Sequence, residues 1–242
     1  MKIVDCVWEL RNLGVNTVEV TVERGDKYDE KVFIQLEDKY GYKVVKVPEN
    51  MVVFNMGLSS LGYSFIETQI DISMKVKDFN YDDKWIKRLE PYCSFRDIET
   101  EDSFEETLQR INSEMFVTDR VALDPTFGFL MGCERYKNWI TSEYYKGTSK
   151  LQQTLFKNEV VGFGMYRIEG KTMHGTLGGL YSDIKVPIGV LVPSCRLIQI
   201  KKEGLDVDLF TTSISSNNKP IWQLYNYFNF KVDGIKYVFI KH

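Results

Sequence analysis

Polar and apolar residues alternate in NTVEVTVERG, which puts Val18, Val20 and Val22 on one face and predicts a strand. KVFIQLED and YKVVKVPE repeat that character, and SFIETQIDISMKV resumes it. Between them, ENMVVFNMGLSSLGYSF predicts a short helix ending near Gly62. The first half therefore reads as a small, mostly antiparallel sheet with one or two helices. An acidic stretch follows at 78–114, read as a surface helix, a turn and a second helix. The compositional shift there suggests a division into residues 1–114 and 115–242.

Beyond it, MFVTDRVAL predicts a strand broken at Asp124-Pro125, because a residue before proline avoids the helical region. GCERYKNWITSEYYKG sets Tyr136, Trp139 and Ile140 on one helical stripe, with Gly147 as the stop. LQQTLFK and VVGFGMYRIEG form a hairpin turning at Asn158-Glu159, and TMHGTLGGLYS is a third strand. The segment between Pro187 and Gly204 reads as helical, DLFTTSIS as a strand and NKPIWQLYNYF as a short helix. FKVDGIKYVFIKH reads as a closing hairpin around Asp233-Gly234. The expected class is α+β, a mixed, mostly antiparallel sheet flanked by helices.

Composition narrows the chemistry. Of two histidines in 242 residues, one is the last residue, so any histidine base would have to be His174, which reads as an ordinary strand residue. The four cysteines are widely spaced, without metal-ligand spacing, and are expected as buried thiols in a reducing cytoplasm. A net charge of -3 gives no electrostatic reason to expect nucleic acid or an anionic membrane as partner. The opening MKIVDCVWEL carries charges within its apolar stretch, so neither a signal peptide nor a membrane span is expected.

The most informative stretch is TTSISSNNKPIWQLYNYFNF, residues 211–230. A strand ends in polar residues, and an amphipathic helix starts at once with Ile221, Leu224, Tyr225 and Phe228 at three- and four-residue spacings. Ser216 or Asn217 can cap it, and Pro220 suits its first turn. By spacing alone this is a well-capped helix packing an aromatic face.

The same residues resemble the C-terminal part of the GNAT superfamily of acyl-CoA-dependent N-acyltransferases. There a strand is followed by an Asn, an apolar helix, a Tyr seven residues past the Asn, and a closing Gly-Phe. Asn218, Tyr225 and Asn229-Phe230 stand at those places, and Asn tolerates the left-handed conformation that a glycine would adopt. Upstream, TDRVALDP, ERYKNWI and VVGFG are similar to the nucleotide-sugar N-acetyltransferases of the dTDP-fucosamine type. Those enzymes carry a truncated GNAT-like N-terminal domain, which residues 1–114 would match.

The resemblance departs at the pyrophosphate loop, where the family has Arg/Gln-x-x-Gly-x-Gly/Ala opening a helix. Here Ile184 stands at the Arg/Gln place, Pro187 at a glycine place and Gly189 at the last glycine, with Lys185 adjacent and Pro193 expected to interrupt the following helix. Either the loop holds CoA through fewer amides plus Lys185, or CoA binding has been lost and the chain is a non-catalytic GNAT-like binding protein.

The resemblance implies acetyl-CoA as cosubstrate and a small-molecule primary amine as acceptor, with a nucleotide-linked amino sugar as one such acceptor; a homodimer is the assembly it allows. It implies Tyr225 as the acid that protonates the departing thiolate, because a phenol stays protonated where a thiol ionises. It places a backbone N–H near Leu180 or Tyr181 on the developing oxyanion, and Gly189, Lys185 and Asn218 beside CoA. Glu67, a carboxylate interrupting an apolar strand, could meet the amine or simply face solvent. Asp119, Arg120 and Asp124 form a polar cluster that could line the acceptor site or bridge a loop.

Overall fold

Helices and strands follow from local stop and start chemistry along most of the chain. The computed structural model describes residues 1–185 and 187–242. The N-terminal elements are β1 (Lys2–Asp5), α1 (Val7–Leu13), β2 (Thr17–Thr21), α2 (Glu30–Glu37), β3 (Tyr42–Pro48), α3 (Val52–Ser60) and β4 (Ser64–Lys75). Then come α4 (Lys84–Leu89), β5 (Cys93–Asp97), α5 (Glu101–Arg110), α6 (Arg120–Leu123) and α7 (Gly128–Lys146). The remainder is β6 (Lys150–Phe156), β7 (Glu159–Glu169), β8 (Thr172–Leu180), α8 (Leu191–Glu203), β9 (Leu209–Ser215), α9 (Lys219–Tyr227) and β10 (Lys231–Lys241).

All ten strands form one sheet in the order β1-β2-β3-β10-β4-β9-β8-β7-β6-β5. Among the described residues only β2–β3 and β8–β9 pair in parallel, and each of those pairs is joined through a helix, α2 or α8. Strands from the two sides of residue 114 are neighbours at four places in the sheet, β3–β10, β10–β4, β4–β9 and β6–β5. β10 lies between β3 and β4, and β5 lies on the far edge beside β6. On the first half of the sheet, α2 and α3 bury Phe33 and Phe54 against Val18, Val20, Val45 and Val47. On the second half, α8 and α9 pack Leu197, Ile198, Tyr225 and Phe228 against Ile72, Tyr166 and Phe210. α5 and α7 cover the opposite face, packing Phe104 and Ile140 against Phe163 and Met165 of β7.

Four elements differ from the sequence expectation. KVFIQLED is the helix α2, because Asp29 caps it by accepting from Lys31 N and Phe33 and Leu36 share its buried face. MFVTDRVAL contains no strand; Asp119 accepts from Ala122 N at 2.9 Å and starts the single turn α6. The expected turn within 78–114 holds β5, which pairs with β6. The C-terminal hairpin is one long strand, β10, in which Asp233 is an extra residue opposite the Ile72–Asp71 step of β4. A strand with partners on both sides cannot fold back on itself.

Candidate functional site

The parallel ladder between β8 and β9 lasts only three pairs, Thr172↔Leu209, Met173↔Phe210 and His174↔Thr211. Past them β8 stays with β7 as far as Leu180 and β9 stays with β4 as far as Ser215, so the sheet opens between the two halves. Gly175 sits where the strands part, and a Cβ there would meet the Phe210 ring at 3.0 Å. Thr176 is then the extra residue of a bulge against β7, its hydroxyl donating to Met165 O at 3.0 Å. A cavity of about 690 Å³ occupies the opening.

Backbone groups on the β8 wall are aimed by the ladder itself. Tyr181 N–H donates to Val161 O at 3.0 Å. Bonded and non-bonded pairs alternate in an antiparallel ladder, so the Leu180 N–H turns the other way, toward the opening. Of the two oxyanion donors expected from sequence, Leu180 faces the cavity and Tyr181 does not. The Tyr181 ring is buried and lies 4.0 Å from the Arg110 guanidinium instead.

Helix α9 contributes to the cavity lining. Its cap is Asn218, not Ser216 or Asn217: the side-chain oxygen accepts from Ile221 N at 3.3 Å. Asn229 takes the left-handed conformation, φ 58°, and lets Phe230 N donate to Tyr225 O at 3.0 Å. Between those ends, Tyr225 is turned into the cavity wall with its ring edge-on to Phe230. Burial, with Cys195 beside it, holds the Tyr225 phenol above its ordinary range and therefore protonated.

The start of α8 is a poorer anion cradle than a regular helix end. Leu191 N donates to Ile188 O at 2.8 Å and Val192 N to Gly189 O at 3.1 Å, while Pro193 has no N–H. Pro193 does not interrupt α8 as expected; it sits in the first turn, where its missing donor leaves no helical bond unmade. Gly189 lines the cavity, whereas Lys185 is exposed and lies apart from it.

On the other side of the opening stands Glu67, on β4. Burial pushes its carboxyl above the usual range; a Ser215 hydroxyl and the Arg120 charge pull back without reversing the shift. Behind it lies an ion network that sequence spacing could not assemble. Arg135 bonds Glu9 at 2.7 Å, Arg120 lies 3.5 Å from Glu9 and 4.0 Å from Glu19, and Lys46 pairs with Glu19 at 2.9 Å. Glu9 is 0% exposed. Burial alone would raise its pKa, but the hydrogen bond and charge of Arg135, with Arg120, lower it. Asp119 and Arg120 line the cavity, while Asp124 is buried against the His242 ring at 2.9 Å. His174 bonds Thr211 at 2.8 Å at the closed end of the ladder, consistent with its reading as a strand residue.

Tyr225, Asn218, Leu180, Gly189 and Glu67, drawn from four segments, thus meet around one cavity. The sequence reading missed Glu19, Lys46, Arg135 and Arg196, which share it. The GFG of β7 was the one local signal for Arg196, because two glycines in a buried strand mark a close approach.

The sequence matches no family model and no curated protein. Solved structures do share the fold. A functionally unknown conserved protein of Staphylococcus epidermidis ATCC 12228 aligns with a TM-score of 0.62 at 12% identity, over 93% of this chain and 84% of that one. The tandem GNAT protein from the clavulanic acid biosynthesis pathway aligns at 0.56 and 10%, over 93% of this chain and 74% of that one. A GCN5-related N-acetyltransferase of Sphaerobacter thermophilus aligns at 0.55 and 10%, over 83% of this chain, which spans only 59% of that protein. The chain has the fold of GCN5-related N-acetyltransferases, and at these identities the likeness is one of fold.

Proposed function

We propose that the protein is an N-acyltransferase that moves an acyl group from an acyl-CoA thioester to a primary amine, with acetyl-CoA as the simplest donor and a nucleotide-linked amino sugar among the acceptors to test. The observation that carries this is the opening between β8 and β9, with Leu180 N–H facing it from one wall and Tyr225 lining it from α9. An extended ligand can hydrogen-bond the free strand edges there as a third strand would. Asn218, Gly189 and the α8 start line the same cavity and would hold the CoA moiety.

The thioester supplies the activated acyl group. Glu67 accepts a proton from the attacking amine, a role suited to a carboxylate whose affinity for protons is raised. Leu180 N–H donates to the carbonyl oxygen as charge builds on it. Tyr225 gives its proton to the sulfur as the carbon–sulfur bond breaks and recovers one from water. One proton leaves the amine and one reaches the thiol, so the exchange balances.

The second reading, a non-catalytic GNAT-like binding protein, draws on the consumed N–H groups of Leu191 and Val192 and on Pro193. Calorimetric titration with CoA separates the two at their root. Micromolar binding is expected; absence of binding at millimolar CoA overturns the enzyme reading.

A further inference from the structure

Arg196 is a buried cation without a counter-ion. It projects from α8 onto β7 and is 5% exposed. Its Nη1 donates to Gln152 Oε1 at 2.6 Å and Gln199 Oε1 at 2.5 Å, both neutral groups. Its guanidinium lies 5.0 Å from the Tyr166 ring centre and 5.6 Å from that of Phe95. No carboxylate comes within ion-pair distance among the described residues, and Nη2 has no hydrogen-bond partner there at all. Two acids lie one amide away, Asp97 bonded by the amide of Gln152 and Glu203 by that of Gln199, and each reaches Arg196 only through that glutamine. A buried guanidinium left in this state is destabilising unless something supplies the charge.

The surroundings are shaped to admit that something. Arg196 lines the same cavity as Tyr225 and Leu180. Nη2 rests against Gly164, where a Cβ would fall 2.0 Å from it, so only glycine leaves the guanidinium in place. Opposite Gly164 in the ladder is Gly178, which also lines the cavity, so the floor here is bare backbone. In strand order this pocket lies on the β8–β7 side of the opening, and Glu67 lies on the β4 side. Arg196 and Glu67 thus line the one cavity from opposite sides of the opening.

Resting on the acyl-CoA reading above, we infer that Arg196 is a specificity residue for the acyl group, and that the preferred donor is a short dicarboxylic acyl thioester whose terminal carboxylate pairs with the Arg196 guanidinium. The guanidinium fork suits a carboxylate, and a charge-assisted bond in a dry pocket is worth far more than the methyl contact it would replace.

Calorimetric titration with CoA, butyryl-CoA and succinyl-CoA tests this without any turnover. The two acyl thioesters have the same carbon count and differ in the terminal carboxylate. Succinyl-CoA is expected to bind the wild-type chain at least about tenfold more tightly than butyryl-CoA, and the ratio is expected to fall to about one in Arg196→Gln. CoA binding with equal affinity for the two acyl thioesters overturns the carboxylate subsite and leaves the acyl-CoA reading standing. A preference that survives in Arg196→Gln overturns the assignment to Arg196. Failure of all three to bind overturns the acyl-CoA reading itself. Should Arg196→Gln lose its cooperative melt, the wild-type comparison still decides the subsite.

Discussion

In the proposed reaction, the roles of Tyr225 and Glu67 depend on where their protons sit. Tyr225→Phe removes the hydroxyl that the proposed reaction uses as proton donor, so acyl transfer followed by thiol release across a panel of amines is expected to slow by about 100-fold. An unchanged rate would remove Tyr225 from the mechanism. For Glu67, burial raises the pKa, so the rising limb of kcat/KM against pH is expected above the ordinary carboxylate range and is expected to vanish in Glu67→Gln. The same shift has a stability sign. A folded-state pKa above the unfolded one contributes stability below the ordinary value and loses it as pH rises through the folded value. Ionised Glu67 is therefore a cost at neutral pH, so Glu67→Gln is expected to melt higher than wild type at pH 7 and to converge with it in acid. Glu9 and Glu19, held below the usual range, act oppositely: their contribution is present at neutral pH and is lost as pH falls through their lowered values. Tyr225 was legible in the sequence because its cap, its stripe and its closing Asn229 lie within a dozen residues. Glu67 was legible only as an anomaly, a carboxylate in an apolar strand, and its burial came from β9, α6 and the charges behind them.

Among the elements, α9 shows how far local rules reach. Asn229 holds φ 58° after the helix, which costs an ordinary L-residue about 1 kcal/mol or more. Asn229→Ala is expected to lower stability by about that amount in urea unfolding, and Asn229→Gly to leave it unchanged or raise it. α7 and Gly147 were equally readable, with Gly147 left-handed at φ 63° as the stop. The failures share one cause. KVFIQLED fits a strand pattern as well as a helical one, and the cap at Asp29 together with packing onto β2 and β3 decides between them. Asp233-Gly234 has hairpin chemistry, but it is spent on a bulge because β3 and β4 bond β10 along both of its edges.

For the whole molecule, β10 ties the two ends of the sequence together. Residues 1–114 on their own would present β3 and β4 without the strand that joins them. That fragment is expected to show no cooperative thermal transition by circular dichroism, whereas the full chain is expected to unfold in one. A cooperative melt of the fragment would make residue 114 a true folding boundary. By itself the sequence determined what short-range chemistry can determine: most of the elements, the capped α9 that presents Tyr225, and a resemblance resting on that one motif. The tertiary structure alone decided the rest. The splay of β8 from β9, the Glu9–Arg135 pair 126 residues apart and the seating of Arg196 over Gly164 all join groups far separated along the chain. Periodicity records which face a residue occupies and not what lies across from it, so a counter-charge, or the lack of one, becomes visible only once the sheet has closed around it.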